Sequence, residues 1–581
     1  MKCKFETCTM TLLSNLNLLS LYPFKKNIAY LVVNPNIKNF IHRKKLPICD
    51  TTKIFRNIDH EFCVKNLFKI FSLAEENLHR KGQLNYEFND HLFNLKKIVS
   101  SLCWVKKIRE NEELLEKKGR FSNLVIINPF KPSFDLRKDN WFRYEYANNF
   151  VSNSLYFLTS FIFLFIFFWV HLLRFTVLTI LFPISRLVIF WKLAKVRRKS
   201  GARKIKLVAS DHHQLHKILE SNYKKDEFIE VSYSGHTIKS IAASFFKNLF
   251  TDSVDISLIY NPFGFYLFES YSHNRRFLNE IFSRVLIDNF LSDEIKLIIR
   301  RKLFFSGVNL SMQHKQINYA SMFLDRFIEI DEFISSYALG LGASMAYSFY
   351  DKSYIKTTII THGSHSWTKD KIGNMEISML SRGMLTSPVF KYTAIQTKIS
   401  EHFYRNFKEN LDWRVPKQKS MKNMMLKCNK KTKKSERFFL YAITQKTLEN
   451  IHFYCNETED EYISSLAKIV SLFNKTSEQL VVKLHPASAY SSSELSSIVE
   501  AKRNVLFVKD ESFCKLLHNC KGLISFSSTT IEQAVQLKKP VILFDAWSRF
   551  QYIDTENLDN ASNISYVNSI KDLNHILQKF A

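Results

Sequence analysis

From Arg437 to Asp545 the chain repeats one pattern: a short, almost wholly apolar run, a few turn residues, then a longer amphipathic run. "RFFLYAIT", "QLVVKLHP", "NVLFVKD", "GLISFSS" and "PVILFD" are the short runs, and "DEYISSLAKIVSLF", "SSELSSIVEAK", "SFCKLLHNC" and "TTIEQAVQLKK" stand between them. A strand apolar on both faces must be covered on both faces, and connections of helical length join parallel neighbours. The pattern therefore predicts a parallel sheet with helices on either side over 437–581. A looser version of it fills 201–414. There "KIKLVAS", "EFIEVSYSG", "VDISLIYNP", "YIKTTIITHG" and "FKYTAI" read as strands, with a helical stretch from about Asn274 to Phe305. Two α/β domains are thus expected, in keeping with 581 residues, too many for one core.

What lies outside these two blocks reads differently. Residues 415–436, "VPKQKSMKNMMLKCNKKTKKSE", are Lys-rich without apolar periodicity, which predicts a solvated hinge. Residues 1–150 carry two strand-like runs, "IAYLVVNPN" and "NLVIINPFKPSF", among charged helices, and form an accessory region with no recognisable chemistry. Between them, 151–200 holds "LYFLTSFIFLFIFFWVHLL", long enough to cross a bilayer, then "FTVLTILFPISRLVIF", broken by Pro183 and Arg186. A membrane-associated hydrophobic hairpin is expected here, with the number of passes open. A buried soluble hairpin is the plainer alternative. The following "WKLAKVRRKSGARKIK" favours a cytoplasmic C-terminal side.

Charge and cysteine narrow the class further. Lys plus Arg number 83 against 54 Asp plus Glu, a net +29 that suits an anionic membrane surface or a phosphorylated substrate. No zinc-finger spacing, RNP-like aromatic string or basic zipper accompanies it, so nucleic acid is not an expected partner. Nine cysteines without a CxxC pair point to a reducing compartment and away from structural zinc. No Asp-x-Asp occurs. His212 and His216 with Asp211 have helical metal-ligand spacing but no third ligand motif, so no metal is expected.

In open parallel sheets ligands gather at the C-terminal strand ends. Three such ends carry unusual residues: "THGSHSW" with His362, Gly363 and His365; "KLHPAS" with Lys483, His485 and Pro486; and "SFSSTTIEQA" with Ser527, Ser528, Thr529 and Glu532. Hydroxyls at a strand-to-helix junction favour an anion through side-chain donors and free backbone N–H groups. One hydroxyl would suffice for capping alone; several in succession favour a phosphate site. Lys483 and His485 both donate, and suit a phosphate leaving group.

"VVKLHP" followed by "GLISFSSTTIEQAVQLKKPVILFD" resembles the donor half of GT-B transferases that build bacterial surface polysaccharides. These are capsule glycosyltransferases of the Kdo- and sialyl-transferring kinds and the related CDP-glycerol glycerophosphotransferases. The resemblance implies two Rossmann-like domains facing a cleft. It places nucleotide and phosphates on Lys483, His485, Pro486, Ser527, Ser528 and Thr529, and ribose hydroxyls near Glu532. "YIKTTIITHGSHS" is similar to the acceptor-side HG loop of the same groups, which implies that His362 acts as general base or orients the acceptor hydroxyl, beside Gly363, with His365 in the loop or simply exposed. "FFLYAITQK" resembles the loop opening the donor domain and implies Gln445 in the cleft. The Asp/Glu-Asp-Gly motif of one sialyltransferase group is absent.

The function expected is glycosyl transfer from a nucleotide-sugar donor to a glycan or lipid-linked acceptor, inverting and independent of metal. The donor serves as substrate and no resident cofactor is required. The site would be the inner (cytoplasmic) membrane, with the catalytic domains facing the cytoplasm. Polyol-phosphate transfer from CDP-glycerol or CDP-ribitol is the near alternative, and a non-catalytic membrane scaffold with a degenerate transferase fold the distant one.

Overall fold

The computed structural model describes chiefly residues 149–580, with interruptions of which the longest are 220–226, 280–292, 361–365, 410–416, 421–437, 443–456 and 554–562. In the first 148 residues it describes four strands and a few helical positions between residues 61 and 72. β1 (Thr7–Thr11) and β2 (Ile28–Val32) pair in parallel, and β3 (Leu124–Asn128) and β4 (Lys131–Leu136) pair antiparallel. The two strand-like runs expected before the apolar segment fall on β2 and β3.

The expected hairpin across 151–200 is instead a single helix, α1 (Asn149–Ser200), which runs through Pro183. Proline removes one donor and crowds the preceding turn, enough to kink a helix. A reversal needs a non-helical loop, and residues 172–190 contain no Gly, Asn or Asp to make one. Nor does the second half face its surroundings with one character. Ile189, Leu193 and Val196 are buried in the core of the first α/β domain, with Leu181, Phe182 and Val188 packed against it. Arg186, which interrupts the apolar run, turns inward: its guanidinium donates to Tyr319 Oη at 2.8 Å and lies 4.3 Å from the centroid of Phe323. Among the described residues no helix is long and apolar enough to cross a membrane.

The first domain follows in chain order as β5 (Ile205–Ala209), β6 (Phe228–Ser232), α2 (Ile238–Phe250), β7 (Val254–Asp255), α3 (Asp293–Phe327), β8 (Ile330–Ser335), α4 (Gly340–Ser348), β9 (Lys356–Ile360), α5 (Lys371–Ser381), β10 (Tyr392–Ile395), α6 (Lys398–Glu409) and β11 (Lys417–Ser420). Its seven strands are all parallel, in the order β11-β10-β9-β8-β5-β6-β7. Adjacent residues alternate between faces. Leu207, Phe333 and Ile359 enter the core beneath α1, α2 and α3, while Val208, Ile334 and Ile360 enter a smaller cluster on the opposite side.

Three sequence readings change here. "VDISLIYNP" is a strand only at Val254–Asp255, because the Asp255 carboxylate accepts from Ser257 N–H and caps a 3-10 turn over Ile256–Leu258. The long helix reaches Phe327, well beyond residue 305. It is described from Asp293, while Asn274, Arg275 and Asn279 are helical as well and residues 280–292 lie outside the described ones. The first residues of the expected 415–436 hinge form β11, an edge strand that needs only β10 as partner and tolerates lysine.

The second domain runs β12 (Phe438–Ala442), α7 (Glu459–Phe473), β13 (Leu480–Lys483), α8 (Ser492–Ile498), β14 (Val505–Val508), α9 (Phe513–Asn519), β15 (Cys520–Ser525), α10 (Thr530–Gln536), β16 (Val541–Phe544), β17 (Ile564–Val567) and α11 (Ile570–Phe580). All six strands are parallel, in the order β14-β13-β12-β15-β16-β17. One face is covered by α7, α8 and α11 through Leu466, Leu495 and Leu573 among others. The other meets α9 and α10, and also residues of α5, β10 and α6 from the first domain, including Ile377, Ile395 and Phe403. The two domains therefore share one hydrophobic cluster.

Candidate active site

Renumbered from its own first strand, the second sheet reads 3-2-1-4-5-6. Its connections diverge between β12 and β15, and a crevice opens outside the carboxyl ends of strands at such a point. Ser525, the last residue of β15, donates through Oγ to Ala442 O, the last residue of β12, at 3.4 Å. Beyond Ala442 the chain enters the loop with Gln445, which lies outside the described residues. Beyond Ser525 come Phe526, buried in the shared cluster, and Ser527, 6% exposed. Ser528 caps the next helix: its Oγ accepts from Thr530 N–H at 3.3 Å and its carbonyl from Ile531 N–H at 3.1 Å. Thr529 is outside the described residues. Glu532 is buried in the first turn of α10, at 5% exposure. This helix has only seven residues, so hydroxyls and loop N–H groups, more than a long helix dipole, are what this strand end offers an anion.

One strand over, β13 ends at Lys483 and leads into Leu484 and His485. The Lys483 amine donates to Leu484 O at 2.9 Å and across to Lys509 O at 2.5 Å, just past β14. Lys509 returns the contact through its own amine to Ser488 O at 3.2 Å, and Ser488 N–H donates to His485 O at 2.8 Å. Two lysines and two strand ends thus brace the loop carrying His485, which is half-buried. Burial pushes the Lys483 ammonium below its ordinary value, against the pull of Asp510 and Glu511. Its donors go to carbonyls here, so Lys483 sits as a positioning residue for the loop. Pro486 lies outside the described residues. With strands spaced about 4.8 Å apart, the ends of β13 and β15, on either side of β12, lie roughly 10 Å from each other, a span suited to a nucleotide diphosphate.

His362, Gly363 and His365 also lie outside the described residues, but both ends of their loop are fixed. Ile360, ending β9, and Ser366 are fully buried. Trp367 packs on Phe403 at 5.8 Å between centroids and joins the shared cluster. Asp370 then caps α5, accepting from Ile372 N–H at 2.8 Å and Gly373 N–H at 2.9 Å. Its charge reaches the second domain. The Tyr566 hydroxyl is raised far above its ordinary value by burial, then by Asp545 and by Asp370 across the domain boundary. Tyr566 donates to Asp545 at 3.1 Å, at the end of β16. The segment Ser366–Asp370, which follows the HG loop, is therefore held against the second domain near Asp545 and Tyr566.

Asp370, Asp545 and Tyr566 were not sequence candidates. Each is an ordinary residue at a strand end or helix cap, and only the packing of the domains brings them together. Among the described residues no group of three His, Cys, Asp or Glu is arranged to hold a metal ion, and Asp211, His212 and His216 fall outside them.

A family model described as "Capsule polysaccharide biosynthesis protein" matches residues 391–550, just over a quarter of the chain. The match spans β10, α6 and β11 of the first domain and most of the second, with the His485 and Ser527 loops, and begins after the HG loop. Comparison with curated proteins finds no match. Among solved structures, UDP-GlcNAc 2-epimerase from Neisseria meningitidis aligns at 10% identity and TM-score 0.35, covering 65% of this chain and 92% of that one. The epimerase from Methanocaldococcus jannaschii gives 11%, 0.35 and the same coverages. Phytolacca americana UGT2 gives 8% and 0.31, over 64% of this chain and 86% of that one. At such distance these likenesses carry no argument about the site, which rests on the chain's own strand order and on the matched region.

Proposed function

We propose that the chain is a GT-B-type glycosyltransferase of surface-polysaccharide assembly, associated with the cytoplasmic face of the inner membrane. One observation carries this reading. Within the region matched by a capsule-biosynthesis family, the two chemically unusual loops lie at the carboxyl ends of β13 and β15, on either side of the first strand of a 3-2-1-4-5-6 sheet. That is where such a sheet holds a nucleotide.

In this reading the nucleotide-sugar donor spans the ends of β13, β12 and β15, with Gln445 and Glu532 toward its base and ribose. Ser527, Ser528 and Thr529 meet the phosphates and His485 donates to the departing nucleotide, which stabilises charge as the bond to the sugar breaks. Lys483 and Pro486 fix the loop that presents His485. On the other wall, His362 takes the proton of an acceptor hydroxyl from a glycan or lipid-linked acceptor, with Gly363 and His365 shaping that loop. Attack from the side opposite the leaving group gives inversion. The sugar arrives already activated on its nucleotide, so no resident cofactor is needed, and in this reading His485 and the serine loop take the charge of the leaving phosphate in place of a metal.

The test is a thermal-shift screen of the full-length protein with CMP-, CDP-, UDP- and GDP-linked sugars and polyols. A specific donor at about 100 times its Kd stabilises the fold by about 2.7 kcal/mol. His485→Ala is expected to weaken that donor at least tenfold while leaving the unliganded melting temperature in place. Product analysis then separates a glycosidic bond from a phosphodiester. Absence of any nucleotide effect, or an unchanged His485→Ala, overturns the proposal.

A further inference from the structure

The outward face of α1 is apolar in a way that the core does not explain. Phe165, Trp169, Leu173, Ile180, Ile184 and Leu187 are each 50–70% exposed. They recur every three, four or seven residues, which at about 100° per residue puts them in a single sector of the helix. The opposite sector holds the buried Ser185, Ile189, Lys192, Leu193 and Val196. From Leu181 to Val196 α1 is thus anchored in the first domain by one side and offers the other outward.

The apolar face continues onto elements outside the apolar run. α2 lies against α1, with the Lys192 amine of α1 bonded to Thr251 O just past the end of α2. Its own outer side is Ala242, Ala243, Phe246 and Phe250, all exposed, and the two phenylalanines stack at 6.3 Å with 79% of Phe250 exposed. On the other flank, Phe190 meets Phe327 of α3 edge to face at 5.0 Å, and both rings are partly exposed. The three helices cover the same face of the first sheet, so their outer sides form a common surface. At its C-terminal end the surface turns cationic. Trp191 is 51% exposed with the Lys195 amine 5.5 Å from its ring centroid, and Arg197 and Arg198 follow in exposed positions.

We infer that this three-helix face is a monotopic docking surface for an anionic lipid leaflet, with α1 lying in the membrane plane rather than crossing it. The occupant follows from the chemistry: a broad aromatic and aliphatic face with tryptophan and cations at its margin matches the acyl, interfacial and headgroup layers in turn. From Leu181 to Val196 the other side of α1 is in the core of the first domain, so this half cannot present lipid all round, as a crossing helix must. The inference rests on the membrane association proposed above, supplies its geometry, and is independent of the donor-site chemistry.

The experiment is flotation of the full-length protein with vesicles of phosphatidylcholine alone and with added phosphatidylglycerol. Wild type is expected to float with the anionic vesicles, and Phe246→Ser/Phe250→Ser, outside the apolar run and on the surface, to bind them at least about tenfold more weakly with an unchanged melting temperature. Lys195→Ala/Arg197→Ala/Arg198→Ala should lose the preference for anionic lipid. A fluorophore placed in turn at Trp169, Ile180 and Leu187 should be quenched equally by lipids brominated near the glycerol end. Binding by the α2 variant as strong as wild type overturns the docking face, and a deep middle label with shallow ends overturns the in-plane arrangement while keeping the membrane reading. Failure of wild type to float, or a stable dimer that does not float, overturns both and leaves a second copy as the occupant. The nucleotide screen is unaffected by each of these results.

Discussion

Lys483 shows how a single side chain changes meaning once its direction is known. In sequence, a lysine two residues before His-Pro at a strand end reads as a phosphate ligand. In the fold its amine ties Leu484 O to Lys509 O, and burial lowers its affinity for a proton. Lys483→Met keeps the length of the stem but cannot donate. It leaves two carbonyls short of a donor and should cost about 1–3 kcal/mol in denaturant unfolding. Donor affinity should fall with it, because the loop carrying His485 loosens. A variant as stable as wild type but impaired in nucleotide binding would return Lys483 to the role of direct ligand. The linked pH effect has a definite sign. With the folded ammonium below its ordinary 10.5, the unfolded chain binds more protons in the interval beneath that value. Lys483 therefore makes stability rise with pH across that interval.

At the scale of elements, strands with a sustained apolar run were legible, with or without a single charge as in β5 and β6, and a strand opening on two carboxylates was not. Every strand from β12 to β16 coincides with a run picked out by its apolar residues, although β15 begins at Cys520, two residues before "GLISFSS". β8 was missed although it sits mid-sheet, because Asp331 and Glu332 fall at its start; Glu332 is buried and accepts from Thr358 Oγ1 at 2.5 Å. β17 and α11 follow the last recognisable loop and were likewise missed. The strand-end positions of the His485 and Ser527 loops were legible because each follows directly on an apolar run. Lys509, Asp545 and Asp370 were not, since their significance depends on neighbours distant in sequence. α6 adds a case where packing sets titration. Burial holds the Tyr404 hydroxyl at about 12, against an ordinary 10.0, with a Thr393 hydrogen bond pulling the other way. Above pH 10.0 the unfolded chain releases this proton first, so stability falls as pH climbs toward 12. Tyr404→Phe should therefore show a shallower decline of melting temperature in that interval. A decline as steep as that of wild type would locate the alkaline sensitivity in other buried tyrosines.

For the whole molecule, the decisive feature is that the two sheets are not independent bodies. Phe403 is fully buried, packs on Trp367 from the HG-loop segment, and belongs to a cluster that includes Leu440 of β12, Leu523 of β15 and Ile531 of α10. A ring in that position links the β9-to-α5 connection to the sheet that would hold the donor. The cluster couples their stabilities, so the domains are expected to unfold in one transition. Phe403→Ala opens a cavity where no single domain can close it, at a cost of about 3–5 kcal/mol. Because the loss falls on the shared cluster, calorimetry should resolve two transitions in the variant, with the second domain retaining its own core around Leu466, Leu480 and Leu573. Nucleotide binding should survive, since the loops after β13 and β15 are built within the second domain, whereas transfer to an acceptor, for which the proposed function needs both domains, should drop steeply. A single lowered transition with binding and transfer lost in parallel would mean that the second domain depends on the first for its fold.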